Sequence, residues 1–289
     1  MIFALEKGNL CPVRAFDGHI HSVFAKAINI VTDDLVAPWV SLLDVSVANM
    51  PCGLKVALLN QPLFLDCQVG DPVYCRGGIV RFGAQPLLSI DTRSAKLWVS
   101  PPKLLEYSVL QLMKNIRQAE IYLIKHINLK CQPILHINCY IDYLNKLSIP
   151  TNFNLFTQPE LVASNIGKGF GLTPSGDDFI CGVFALLHQV AHEQRASHSS
   201  CGEALMRLSQ HCQDRWHSTT DVSRHYLQQA SEGDFSQPVQ WLVYSLLSST
   251  SENDVENALN NVFEIGSSSG ADIISGIIFC AHQLQLNEC

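Results

Sequence analysis

Two glycine-rich stretches place carboxylates where a helix is about to begin. The first is Gly167-Lys-Gly-Phe-Gly-Leu-Thr-Pro-Ser-Gly-Asp-Asp-Phe-Ile-Cys-Gly182. Gly167, Gly169 and Gly171 stand at alternate positions, which opens backbone conformations that side chains forbid and lets a ligand approach the main chain. Thr173 and Pro174 end the loop. Ser175 then has the type of an N-cap, with Asp178 three residues on at capping-box spacing. A helix from Gly176 would present unpaired amides and the positive end of its dipole. This is neither a Walker loop, which needs Gly-Lys-Ser/Thr at its end, nor a G-x-G-x-x-G dinucleotide fingerprint.

The second stretch is Gly266-Ser-Ser-Ser-Gly-Ala-Asp-Ile-Ile-Ser-Gly276. Laid over Ser175–Gly182, Ser269–Gly276 repeats the serine, the glycine, the second acidic position, an isoleucine and the closing glycine. Gly182 and Gly276 would let the two helices pack closely, so that two polar helix starts face one pocket. The candidate catalytic residues are therefore Asp177, Asp178 and Asp272. Candidate substrate contacts are Lys168, Gly169, Gly171, Thr173, Ser175 and Gly176 from the first loop, and Ser268, Ser269 and Gly270 from the second. Helix starts favour anions such as phosphate, and Lys168 adds positive charge, yet the three aspartates would repel a bare phosphate. Three uses of the carboxylates stay open: capping, holding a divalent cation such as magnesium, or accepting hydrogen bonds from a substrate amide. A plain pair of capping boxes is the competing reading, but caps alone require neither the alternate glycines nor Asp177.

Smaller signals lie elsewhere. Gly18-His-Ile-His-Ser22 offers His19 and His21 as a metal pair without an identifiable third ligand, or His21 and Ser22 as substrate or interface contacts. His188 and His192 are one helical turn apart but lack the glutamate of H-E-x-x-H, which reads as a helix face. Thr219–Ser223 reads as a helix cap whose hydroxyls could reach the pocket. No Ser-His-Asp triad or activated cysteine can be assembled by spacing.

The elements that must position these residues divide the chain in two. Residues 1–100 read as β-rich: Pro72–Arg76, Gly77-Gly78 and Ile79–Phe82 make a strand–turn–strand pattern. Gly53–Leu59 and Ala95–Val99 are further strands, and a small barrel or sandwich would bury them. Pro101-Pro102 closes this part. From Leu104 and Leu105 toward His126 the period becomes helical, and helices follow over 179–194, 202–216, 222–230, 239–247, 255–263 and 272–286. The expected fold is α+β, a β-rich barrel- or sandwich-like part over 1–100 followed by a helical domain over 101–289.

Composition narrows the function classes. Hydrophobic residues make up 47 % and charged residues 16 % of the chain, so some apolar surface is expected to meet another subunit, a homo-oligomer included. The net charge of −7, with no lysine/arginine run, argues against nucleic acid and leaves small molecules and proteins as partners. No signal peptide or bilayer-length apolar run is read, which predicts a cytoplasmic protein with no membrane partner. The 11 cysteines are odd in number, lack C-x-x-C and sit in apolar stretches, as expected of reduced core thiols.

The long loop motif, with the later Gly-Ser-Ser-Ser-Gly-Ala-Asp, resembles the AllH family, and the likeness extends to His21-Ser22 and Thr219–Ser223. The resemblance implies a subunit of an oxamate carbamoyltransferase in allantoin (purine) breakdown. That enzyme moves a carbamoyl group between oxalurate and phosphate, giving oxamate and carbamoyl phosphate. It further implies a heteromeric complex with AllF- and AllG-type subunits. On that basis the Gly176 and Gly270 amides would bind phosphate or a carboxylate, Lys168 would neutralise charge and an aspartate would orient the carbamoyl amine. The Ser-Thr-Arg-Thr loop of ordinary carbamoyltransferases is not found in the sequence. Two other classes remain as alternatives: a noncatalytic ligand-binding or scaffolding subunit, and another acyl- or carboxyl-transfer enzyme, matching an older carboxylase description of the family. The latter is weakened by the missing Met-Lys-Met biotin acceptor and ATP loop.

Overall fold

A computed structural model describes residues 1–12, 15–35, 37–57, 66–83, 85–98, 100–102, 106–130, 154–193 and 200–288. The chain forms two compact units, Met1–Ser100 and Pro101–Cys289. The first is all β and the second all helical among the described residues, an α+β arrangement with a barrel-like β part.

The first unit contains β1 (Ile2–Phe3), β2 (Glu6–Lys7), β3 (Phe16–Phe24), β4 (Ala27–Thr32), β5 (Trp39–Asp44), β6 (Gly53–Val56), β7 (Pro72–Arg76), β8 (Ile79–Phe82), β9 (Gln85–Asp91) and β10 (Lys96–Leu97). They form one curled sheet in the order β1-β9-β8-β7-β3-β4-β5-β6-β2-β10. Its two sides are drawn together by a single short segment. Ile2–Phe3 runs parallel to β9, while Glu6–Lys7 pairs antiparallel with β6. Between them, Ala4 donates its amide to Asp91 O at 2.9 Å and Leu5 to Lys55 O at 2.8 Å. Curling this way satisfies edges that would otherwise stay open. Ile20, Ile30, Leu42, Leu54, Leu88 and Ile90 fill the interior.

The β7–β8 hairpin has the expected form. Arg76 faces Ile79, and Gly77 and Gly78 turn the chain at φ 59° and 74°, the two positive angles of a tight primed turn. β3, β4 and β5 are not foreseen from the sequence pattern. His21 sits at an irregularity of β3, between the pairs Ile20–Ile30 and Ser22–Asn29, with its ring edge against Trp39 at 4.9 Å. Ser22 accepts a 3.1 Å hydrogen bond from Asn29 Nδ2. Both residues belong to this β unit. Leu58, Leu59 and Val99, read as strand, lie outside the described residues, as do Leu104, Leu105 and Gln194 of the helical reading.

The second unit contains α1 (Val109–Lys130), α2 (Pro159–Ala163), α3 (Ser175–Glu193), α4 (Ser200–Gln213), α5 (Asp221–Ser231), α6 (Gln237–Ser248), α7 (Glu252–Phe263) and α8 (Ser269–Glu288). Only α2, a five-residue piece, has no counterpart among the helices expected from periodicity. α3 and α8 form the centre. Phe179, Ile180, Val183, Phe184 and Leu187 of α3 are completely buried, and Ile274, Ile277, Ile278 and Ala281 of α8 nearly or completely so. Each such side chain contributes roughly 1.5–3 kcal/mol of burial, so this pair anchors the unit.

The crossing of α3 and α8 is reciprocal. A Cβ on Gly182 would lie 2.1 Å from Ile273 O and 3.0 Å from Ile277 N; one on Gly276 would lie 2.0 Å from Phe179 O and 3.0 Å from Val183 N. Each glycine thus touches the other helix at positions equivalent under the internal repeat, a local two-fold relation. Cys181, Cys201, Cys212 and Cys280 of this unit stand outside any disulfide, as do Cys11, Cys52, Cys67 and Cys75 of the first, and all but Cys181 are buried. Burial raises those whose acidity is perturbed, Cys11 to about 12.

Candidate functional site

The glycine loop is fastened at several points and exposed between them. At its root Gly167 has φ 78°, and a Cβ there would strike Ser218 O at 2.1 Å. No other residue fits that close approach without moving the 3-10 turn Trp216–Ser218. Leu172 O accepts a hydrogen bond from the Thr220 hydroxyl. Thr173 Oγ1 meets Ser269 Oγ at 3.0 Å, tying the loop to the first residue of α8. That contact and the glycine crossing put the amino ends of α3 and α8 side by side. Between the fastenings, Phe170 is fully exposed.

The expected capping boxes do not form. Asp178 donates its amide to Pro174 O at 3.2 Å, and Asp272 donates its amide to Ser268 O at 3.0 Å. The carbonyls of Pro174 and Ser268 therefore open the helices, and Ser175 and Ser269 are already helical. A second expectation also fails. The Gly176 amide donates to Lys168 O at 2.8 Å and the Gly270 amide to Ile265 O at 3.0 Å, so neither is available to an anion. Lys168 gives its ammonium to Asn165 Oδ1 at 3.0 Å, which holds its charge against the buried base of the loop.

The three aspartates have separate tasks. Asp177 accepts from the Gly167 amide at 2.7 Å, from Ser223 Oγ at 2.6 Å and from the Thr219 hydroxyl. Burial pushes its pKa above the usual carboxylate value, and these three donors oppose that. These bonds tie the glycine loop to α5. Thr220 is the N-cap of α5, accepting from the Ser223 amide at 3.1 Å, as the Thr219–Ser223 pattern suggests. Asp177→Ala is expected to lower stability by about 2–4 kcal/mol, since three donors lose one buried acceptor; a urea midpoint equal to that of the parent protein would contradict this.

Asp178 and Asp272 are buried differently. Each has an oxygen, Oδ2, without a hydrogen-bond partner. Burial pushes the Asp178 carboxyl up to about 7, against the pull of hydrogen bonds from Ser269 and Thr173 and with a further push from Asp177. Burial alone pushes Asp272 up to about 8. Both can be neutral acids near neutral pH. Among the described residues no group of three or more His, Cys, Asp or Glu side chains is placed to hold a metal ion.

Asp272 makes a pH-dependent contribution to stability. Its folded value lies above its unfolded one, so the fold favours the protonated form. That contribution is whole below the unfolded value near 4 and is lost as pH rises through about 8. Asp272→Asn is therefore expected to raise the melting temperature at pH 8.5 and leave it nearly unchanged at pH 4. The gain at the alkaline end should be on the order of a few kcal/mol. Calorimetric scans across that range would show it, and an equal shift at both pH values would refute it.

Two family models match the chain. Residues 165–281 match the oxamate carbamoyltransferase subunit AllH, and residues 2–97 match the AllH family N-terminal domain. The chain belongs to the AllH family. Its description is that of a carbamoyltransferase subunit, a transferase. No solved structure matches the chain. The first AllH match begins at Asn165 and takes in both loop–helix motifs, Thr219, Ser223 and the glycine crossing. Among the described residues, no helix is long and apolar enough to cross a membrane.

Asn165, where that AllH segment starts, was not singled out by sequence reasoning. Fully buried, it donates from Nδ2 to Leu161 O at 3.0 Å and Val162 O at 3.1 Å while its Oδ1 receives Lys168. A buried asparagine immediately before Ile166-Gly167 was the one available hint. The parallel Ile265-Gly266 precedes the second motif, but no asparagine does.

Proposed function

We propose that this chain binds oxalurate and its product oxamate at the joined starts of α3 and α8, as a working subunit of a carbamoyltransferase in allantoin breakdown. The single observation that carries this reading is the pairing of Asp178 and Asp272 on two reciprocally crossed helices within the segment matched by the AllH carbamoyltransferase description. In the reaction a phosphate oxygen attacks the terminal ureido carbon of oxalurate. A C–O bond forms and the C–N bond to the oxamate nitrogen breaks. That nitrogen must gain a proton as it leaves, and a neutral buried carboxylic acid is suited to give one. Asp177 holds the loop, and the Thr173, Ser175, Ser268 and Ser269 hydroxyls are further donors at the same helix starts. The glycines Gly169 and Gly171 keep the loop's main chain open to a ligand.

Partners of the AllF and AllG type fit the family's description as a subunit, and a cytoplasmic setting fits cysteines that stand outside any disulfide in both units. The test is reconstitution. The chain mixed with its partner subunits should make oxalurate from carbamoyl phosphate and oxamate, and omission of the chain should abolish product. Full turnover by the partners alone would reject the reading and leave a scaffolding role.

A further inference from the structure

Asp178 and Asp272 stand at equivalent places, each four residues before the glycine at which the helices cross. They are 7 % and 2 % exposed, and each keeps one carboxyl oxygen without a partner. An ionised carboxylate left that way carries a desolvation cost of several kcal/mol unless a cation answers it. The loop's own cation is committed, since Lys168 Nζ bonds Asn165. A neutral carboxylic acid removes the charge but leaves an O–H that needs an acceptor. The first-turn amides of Gly176 and Gly270 are already used inside the chain. An anion arriving here therefore meets acid hydroxyls and alcohol hydroxyls and does not find the Gly176 and Gly270 amides free.

We infer that Asp178 and Asp272 hold the ligand as uncharged carboxylic acids, each giving its O–H to an oxygen of a 2-oxo acid amide of the oxamate class. Such a ligand has a carboxylate and an adjacent carbonyl, acceptors at two ends for two donors. The inference rests on the function proposed above and states how that same site selects its ligand.

The surroundings support protonation at working pH. Burial acts first on Asp178, with Asp177 from its own helix and the Thr173 and Ser269 hydroxyls from the loop and α8 acting beside it; burial likewise raises the Cys181 thiol one turn on. Burial alone acts on Asp272. The two carboxyls thus reach about 7 and about 8. Ionising them would set two negative charges against an anion and remove both donors.

The experiment is calorimetric titration of the full chain with oxamate, whose single charge is constant across the range, at pH 6 and pH 9. Wild-type affinity should fall about a thousandfold between them, the combined loss expected as groups titrating near 7 and 8 both ionise. The double variant Asp178→Asn with Asp272→Asn, which keeps an N–H donor and cannot ionise, should bind with affinity that hardly changes with pH. Equal or stronger wild-type binding at pH 9 would overturn the inference and leave the proposed function standing. Absence of oxamate binding by folded protein at both pH values would overturn both. If the double variant does not fold, the wild-type pair of titrations decides alone.

Discussion

Replacing either Gly182 or Gly276 by alanine is expected to destabilise the helical unit by about 3 kcal/mol or more, among the largest effects a single methyl can have. The reason is geometric. The added carbon would sit 2.1 Å from Ile273 O in one case and 2.0 Å from Phe179 O in the other, both backbone atoms of the opposing helix. A flexible side chain could swing aside, but a helical carbonyl cannot move without separating α3 from α8. Separation would expose side chains of both helices that are now completely buried. Because the two contacts are reciprocal, the two variants should lose similar stability, and the double variant should lose less than the sum once the helices have parted. Denaturant unfolding would measure this. Retention of parental stability in either variant would show that the crossing is looser than described.

Asp178→Ala and Asp272→Ala are expected to reduce turnover of the reconstituted enzyme by about 10²–10⁴-fold each, the usual worth of a positioned proton donor. Stability at pH 8 should not fall in step, because each substitution also removes a buried acid whose ionisation the fold resists. Steady-state assay together with a melting curve separates the two effects. A scaffold would show the opposite pattern, with turnover kept and assembly lost. Asp178→Asn refines the test, since it keeps a donor for binding but cannot give up a proton to the leaving nitrogen. Affinity preserved with turnover lost would assign that proton to Asp178.

Much of this arrangement is written locally in the sequence. The Gly77-Gly78 hairpin was legible because a primed turn needs two positive φ angles and few residues supply them. The crossing of α3 and α8 was legible because the same Ser-Gly-x-Asp pattern is followed each time by a glycine four residues beyond the aspartate. Other features depended on distant partners. Asp177 looked like one of three equivalent carboxylates until Thr219 and Ser223, more than 40 residues away in sequence, came to cover it. Ser175 and Ser269 had the type of caps, but Pro174 O and Ser268 O opened the helices, a choice that residue type does not encode. β3 to β5 escaped because Gly18 and the irregularity at His21 break the alternation of β3, and β5 is buried throughout rather than on one face.

The most direct measurement is a crystal structure of the chain grown with oxamate and phosphate. Oxamate should lie across the amino ends of α3 and α8, with one of its oxygens within hydrogen-bond distance of Asp178 Oδ2 and another within hydrogen-bond distance of Asp272 Oδ2. Oxamate bound elsewhere, with those two oxygens still unpartnered, would contradict the proposal that the joined helix starts are one site.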